Sequence, residues 1–296
     1  MTASDRGDAL VRAMPVVFVL IWSTGFIVAR YGMPYAPPMK FLAVRYALSI
    51  LCFLPWIVLA KLAWPKSRTQ WLHLAMTGVL MHAGYLGGVW SAVKAGMGSG
   101  LSSLIVGLQP VLTAIWLSPS GAPVGKRQWV GLALGFGGLA LVVSAKLGHG
   151  EANPLNLVLA VLALFSITIG TLYQKRFVAP CDVRTANVAQ LAAAFAATLP
   201  LALLETETLQ WNAQLAGAMA WSVVGLTLGG SSLLYLLIQR GAATAVTSLL
   251  YLVPPCTALL AWLLFGETIT GATVLGTVLT ALGVALVVRP ARAAAS

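Results

Sequence analysis

Residues 131–143 read GLALGFGGLALVV, and residues 276–288 read GTVLTALGVALVV. The two segments share two glycines and a closing Ala-Leu-Val-Val, each 145 positions apart. The same offset, without gaps, pairs Gly25 with Gly170, Arg30 with Lys175, Pro55 with Pro200, Gly84 with Gly229, Gly96 with Gly241, Ser103-Leu104 with Ser248-Leu249, and Pro110 with Pro255. A constant offset over nearly the whole chain indicates an internal duplication.

Both segments belong to long apolar runs, and similar runs occupy most of the chain. A helix needs about 20 mostly apolar residues to cross the ~30 Å hydrocarbon core of a bilayer. Breaking the chain at charges, prolines and glycine clusters predicts ten spans, at residues 14–30, 39–60, 71–93, 97–118, 127–145, 155–174, 185–204, 214–238, 243–265 and 271–288. We therefore predict an all-α polytopic membrane protein of ten transmembrane helices.

Each copy of the duplication contains five of these spans. Because five is odd, the second copy enters the membrane from the side opposite to the first, so the two repeats are inverted. Inverted repeats around a central cavity are typical of secondary transporters that alternate access to a site near the midplane. We predict a first repeat over 14–145, a connection and start of the sixth helix over 146–158, and a second repeat over 159–288. Residues 1–13 and 289–296 are expected to be cytoplasmic tails.

The composition agrees with this architecture. Apolar residues make up 59% and charged residues only 8% of the chain, too few charges to cover a soluble domain of this length. The net charge of +11 is explained by topology. With both termini in the cytoplasm, thirteen Lys and Arg fall inside and four fall outside, as the positive-inside rule requires. We therefore expect a multi-pass protein of the bacterial plasma membrane that contacts lipid and binds no nucleic acid.

Short motifs give a resemblance to a known family. They are residues 20–26 (LIWSTGF), Ala95-Gly96, Gln109-Pro110, residues 251–255 (YLVPP), and Phe265-Gly266-Glu267 followed by Gly276 and residues 283–286. On these the chain resembles the EamA family of the drug/metabolite transporter superfamily, from about residue 14 to 288. Within it, the chain is similar to the YddG-type exporters of aromatic and other neutral amino acids. The first copy departs from the family pattern, with Gly121-Ala122-Pro123 where Gly-Glu is frequent.

Two helix starts carry matching polar stripes that are candidates for a substrate site. Ser103 in the fourth span and Ser248 in the ninth belong to these stripes, which run toward Gln109 and Tyr251. Residues spaced by three or four share one helical face. Prolines after each stripe free backbone carbonyls, which is tolerated where a cavity or polar neighbour receives them. The alternative is that these hydroxyls bond to their own or neighbouring helices.

Aromatic residues supply the rest of the predicted site. His82 and Tyr85 are three residues apart in the third span, Trp90 follows them, and Trp22 and Tyr173 come from the first and sixth spans. Aromatic faces with a few neutral polar groups suit a zwitterion that has an apolar side chain. Trp and Tyr near span ends are also common interfacial anchors, and a buried histidine can be purely structural.

Arg45 lies about six residues into the second span, and charges within spans are expensive. Its guanidinium either snorkels outward or attracts a substrate carboxylate. No Asp or Glu is predicted near a span midpoint.

The sequence thus predicts a secondary transporter that exports small metabolites, with aromatic or neutral amino acids favoured. The alternatives are export of another metabolite or drug, a membrane-embedded enzyme, or a channel. We expect no enzymatic activity, no cofactor and no metal site, because catalytic and phosphate-binding motifs are lacking. Glycines four apart in the fifth and eighth spans predict close helix packing within a monomer, with homodimerisation as the alternative.

Overall fold

The structure, a computed structural model, describes residues 3–117, 125–147, 151–233 and 252–288. The described residues are organised in helices. In chain order these are α1 (Ala3–Gly32), α2 (Pro38–Leu59), α3 (Arg68–Gly78), a π-helical segment (Val79–Gly84), α4 (Tyr85–Lys94), α5 (Ser99–Val106), α6 (Gln109–Leu117), α7 (Lys126–Leu147), α8 (Pro154–Phe177), α9 (Val183–Leu204), α10 (Ala213–Trp221), a second π-helical segment (Ser222–Ser231), α11 (Val253–Phe265) and α12 (Gly271–Val288).

Each of the ten predicted spans contains a described helix. Within the described residues, four single helices are long and apolar enough to cross a membrane, namely α2, α7, α8 and α9. Shorter apolar helices run over Val17–Gly32, Ser99–Thr113, Val253–Phe265 and Gly271–Val287. Large apolar side chains on these helices are exposed at the protein surface, where lipid would cover them. The chain is a multi-pass membrane protein.

The boundaries differ from the prediction at several helix ends. α1 begins at Ala3, so most of the predicted N-terminal tail continues the first helix. α8 begins at Pro154, where Asn153 accepts a hydrogen bond from the Asn156 backbone N–H and the Asn156 side chain accepts one from Asn153. Such a capping box satisfies backbone donors that a helix start leaves free. The tight turn after α4 uses Gly96 at φ 94°, a conformation that favours glycine.

The third and eighth spans each contain a π-helical segment at equivalent positions. The 145-residue offset carries Val79–Gly84 onto residues 224–229, which lie within Ser222–Ser231. π-Helical turns are rare and occur frequently at functional sites. In the third span the segment is supported by Tyr46, whose hydroxyl donates a 2.9 Å hydrogen bond to the His82 carbonyl oxygen.

The fourth span is broken into α5 and α6. The break lies at residues 107–108, just before Gln109-Pro110, and proline cannot donate a backbone hydrogen bond to the preceding turn. A methyl group added to Gly107 would lie 2.8 Å from the ring of Pro254. The break therefore coincides with a close approach between the fourth span and the start of α11.

Glycines allow helices α7 and α12 to cross with their backbones in direct contact. A methyl group added to Gly138 would lie 2.5 Å from the Gly276 carbonyl oxygen, and one added to Gly131 would lie 2.6 Å from that of Gly283. Between these contacts, the Thr280 hydroxyl donates to the Gly135 carbonyl oxygen. The pairing is reciprocal, because the duplication relates Gly131 to Gly276 and Gly138 to Gly283. The close packing predicted for the fifth span occurs at Gly131 and Gly135, whereas Gly225 and Gly229 of the eighth span approach only atoms of their own span.

The Gly138→Ala variant should therefore be less stable than the native protein, whereas Gly137→Ala should not. The Gly138 methyl group would meet backbone atoms, while a methyl group on Gly137 has nothing within 4 Å. Overpacking of this kind costs about 1–3 kcal/mol. Differential scanning fluorimetry in detergent should show a lower unfolding midpoint for Gly138→Ala alone. Equal midpoints for the two variants would show that the crossing is looser than the structure indicates.

Candidate functional site

A cavity lies between α1, α2, the third span, α8, α9 and the eighth span. Its apolar wall is formed by Trp22 and Phe26 of α1, Tyr85 and Trp90 of α4, and Leu226 of the second π-helical segment. Trp90 is nearly fully buried and stacks on Phe41 with ring centroids 4.4 Å apart. Trp22 packs against Phe18 with ring centroids 5.1 Å apart. Packing thus fixes the orientation of the aromatic side chains.

Neutral polar side chains occupy the opposite part of the wall. They are His82, Gln174, Asn187, Gln190 and Ser231. His82 and Gln190 line the cavity from the third span and from α9, which are in contact. That contact is close because Gly78 has no side chain: a methyl group there would lie 2.1 Å from the Gln190 carbonyl oxygen. Glycine in α3 therefore brings the histidine and the glutamine together.

Arg45 adds a positive charge to this wall. Its side chain is only 4% exposed, so it does not snorkel to the surface. Its Nε and Nη2 donate to the Thr227 hydroxyl oxygen at 3.2 and 3.1 Å, and this hydroxyl donates to the Ser222 carbonyl oxygen at 2.9 Å. Nη1 has no hydrogen-bond partner among the residues that the structure describes. The guanidinium is therefore held at the cavity by a single neutral side chain of the eighth span.

The structure brings together four of the nine residues predicted for the site, namely Trp22, His82, Tyr85 and Trp90. Three others make helix contacts elsewhere. The Ser103 hydroxyl donates to the Gly100 carbonyl oxygen, and the Gln109 amide donates to Thr171 of α8. Tyr173 pairs with the His73 ring nitrogen at 2.7 Å. Ser248 and Tyr251 lie outside the described residues.

Other cavity residues were not among the predicted set. Gln174 lies near the end of α8 beside Lys175 and Arg176, and Asn187 and Gln190 are three residues apart in α9, a spacing that places them on one helical face. Arg45 was recognised in the sequence as an unusual charge, but the choice between snorkelling and a cavity position depended on Thr227, 182 residues away. Of these four cavity residues, only Arg45 and Gln190 lie several residues inside predicted spans, where a polar side chain is unusual.

One end of the bundle is closed by ion pairs and hydrogen bonds. Arg30 of α1 donates to Glu267, which also accepts hydrogen bonds from the backbone N–H groups of Ser99 at 2.9 Å and Gly100 at 3.3 Å. Nearby, Lys146 pairs with Glu151 at 2.8 Å. We call this the Glu267 end. It joins α1 and the start of α5 to the segment after α11.

The model of the EamA-like transporter family matches the chain twice, over residues 12–144 and 155–289. The chain belongs to the EamA-like transporter family. This family lies in the drug/metabolite transporter superfamily, as the sequence motifs predicted, so the protein is a membrane transporter. The double match places one copy of the family pattern in each half of the EamA-like transporter.

Relatives of this EamA-like transporter carry transporter names. The uncharacterized inner membrane transporter YedA of Escherichia coli K12 is 27% identical over 89% of this chain and 88% of its own length. The uncharacterized transporter YvbV of Bacillus subtilis is 24% identical, over 91% and 88%. A probable amino-acid metabolite efflux pump of Escherichia coli K12 is 23% identical, over 91% and 92%. A solved crystal structure has the same fold, with a TM-score of 0.67 at 18% identity over 93% of this chain and 95% of that chain.

Arg45→Met should unfold at the same temperature as the native transporter or higher. A buried, incompletely paired charge costs stability, and an apolar side chain of similar length removes that cost. Thr227→Val should instead lower the unfolding midpoint, because it removes the side-chain partner of the guanidinium and leaves the charge in place. Differential scanning fluorimetry in detergent measures both. If Arg45→Met lowers the midpoint as much as Thr227→Val, the arginine is a structural element.

Proposed function

We propose that this transporter exports small metabolites across the bacterial plasma membrane, and that amino acids with aromatic or other neutral side chains are its main substrates. The observation that supports this most is the cavity, whose wall combines Trp22, Tyr85 and Trp90 with neutral polar groups and one guanidinium. An apolar side chain fits against the aromatic part, and the polar groups suit the backbone atoms of an amino acid. The efflux-pump name of some relatives favours the same substrate class. The second candidate is another metabolite or drug of similar size.

The transport mechanism in this proposal is alternating access between two inverted repeats. Two features support the inversion. The crossing of α7 and α12 is reciprocal under the 145-residue offset, as expected for elements related by a two-fold axis. The π-helical segments of the third and eighth spans also occupy equivalent positions. The cavity lies between helices of both halves, which is where rocking of one repeat against the other would open and close it.

The Glu267 end is extracellular in this proposal, since the positive-inside rule places both termini in the cytoplasm. Arg30, Glu267 and the start of α5 then form the outer closure. Release of substrate to the outside requires this ion pair and these hydrogen bonds to break. Breaking them is feasible because the Arg30 side chain is partly exposed and water can replace its partner.

Purified protein reconstituted in liposomes should transport radiolabelled phenylalanine, tyrosine or tryptophan with saturable kinetics. Trp22→Ala should lower the initial rate about tenfold or more, because the indole forms part of the cavity wall. Trp211→Ala is the matched control, since its indole is exposed in the connection before α10, and its rate should stay within about twofold of native. Native protein that moves no amino acid and no other small metabolite would refute the proposed function.

A further inference from the structure

Unpaired polar atoms in the cavity wall identify the chemistry of its ligand. Among the described residues, six buried side-chain nitrogen or oxygen atoms lack a hydrogen-bond partner. Two of these belong to cavity residues, Arg45 Nη1 and Gln190 Nε2, and both are N–H donors. Buried donors without partners cost free energy in the empty protein, and an acceptor oxygen would remove that cost.

The positive charge of Arg45 is also without a counter-ion among the described side chains. The chain has seven Asp and Glu residues, and Asp5 and Asp8 lie in the N-terminal part of α1 whose side chains are not described. The other five are engaged elsewhere: Glu151 with Lys146, Asp182 with Arg184, Glu207 with Lys94, Glu267 with Arg30, and Glu205 with the backbone N–H groups of Met39 and Lys40. An arginine in a membrane span normally pairs with an acid or faces a functional cavity.

The other residues near Arg45 cannot neutralise it. Tyr46 follows Arg45 in α2, and Tyr85 and His82 line the same cavity, but none of the three is a carboxylic acid that could pair with the guanidinium. Thr227 satisfies Nε and Nη2, whereas Nη1 of this cavity-lining arginine has no partner among the described residues. A purely structural arginine would have its donors satisfied by the protein.

We propose that Arg45 and the Gln190 amide bind the carboxylate of the transported molecule. The proposal rests on the transport function and specifies the substrate class: the molecule carries a carboxylate beside an apolar or aromatic group. Arginine suits this task because its planar fork donates two parallel hydrogen bonds to a carboxylate. The free Nη1 supplies one of these donors, and Gln190 supplies a neutral one from α9.

The cavity wall offers fewer favourable contacts to a substrate ammonium group than to a carboxylate. None of the described side chains that line the cavity is an acid, so an ammonium group meets only neutral acceptors there, such as the Asn187 and Gln174 amide oxygens. The carboxylate is therefore the required group. A monocarboxylate without an amino group should bind, whereas an amine without a carboxylate should be repelled by Arg45.

The test uses three probes that share one aromatic group: L-phenylalanine, 3-phenylpropanoate and phenethylamine. Their binding to purified protein is measured by quenching of tryptophan fluorescence, and their competition is measured in the liposome assay. The two carboxylates should bind with Kd values within about tenfold of each other, and phenethylamine at least about thirtyfold more weakly. Arg45→Gln should weaken carboxylate binding at least about thirtyfold, and Arg45→Lys less. Arg184→Gln, at an arginine paired outside the cavity, should bind like native protein.

Folding of each variant is checked by its unfolding midpoint, so that loss of binding is not confused with loss of structure. If phenethylamine binds as well as the carboxylates, or if Arg45→Gln binds them unchanged, carboxylate binding by Arg45 is refuted. The proposed transport function is not affected by that result. If sodium chloride competes as strongly as sodium 3-phenylpropanoate, the site takes any anion and the substrate assignment is overturned. If native protein transports none of a wider panel of metabolites, the proposed function itself fails.

Discussion

Inside the hydrocarbon core no water is available, so every backbone polar group and every charge must find its partner within the protein. This requirement explains why the described chain is organised in helices and why most described ion pairs lie at helix ends or in connections. The fourth span breaks just before Pro110, which has no N–H to donate, and there Gly107 packs closely on Pro254. The few buried donors that do not meet the requirement are therefore informative. Arg45 and Gln190 both lie at one cavity.

Close packing in a bilayer cannot rely on the hydrophobic effect, because lipid solvates apolar side chains as well as another helix does. The contact between α7 and α12 depends instead on backbone approach through Gly131, Gly138, Gly276 and Gly283. A close backbone approach at Gly78 likewise brings α3 against α9, beside the part of the cavity wall that holds His82 and Gln190. Glycines thus determine both the joint between the two halves and the local geometry of the cavity.

Much of the architecture was predictable, since apolar length and the 145-residue offset are properties of composition and order. Trp22, His82, Tyr85 and Trp90 were predicted as aromatic or polar side chains within apolar spans, and these four line the cavity. The remaining features of the site and of the fold depend on contacts between residues far apart in the sequence. The Ser103 hydroxyl bonds to a carbonyl of its own helix, and the Gln109 and Tyr173 side chains bond to neighbouring helices. Helical spacing alone does not show whether a polar side chain makes such a bond or lines a cavity. The π-helical segments have no simple sequence signal, and the pairing of Glu267 with Arg30 is not symmetric between the copies.

The central claim is that the cavity beside Arg45 is the transport site. The most direct test is substrate protection of a cysteine at Met81, which lines the cavity, in a protein whose Cys52, Cys181 and Cys256 are replaced by serine. A small thiol reagent should modify the Met81→Cys side chain, and a saturating concentration of a transported substrate should slow that modification several-fold. A modification rate that does not change while the same protein transports that substrate would contradict the account.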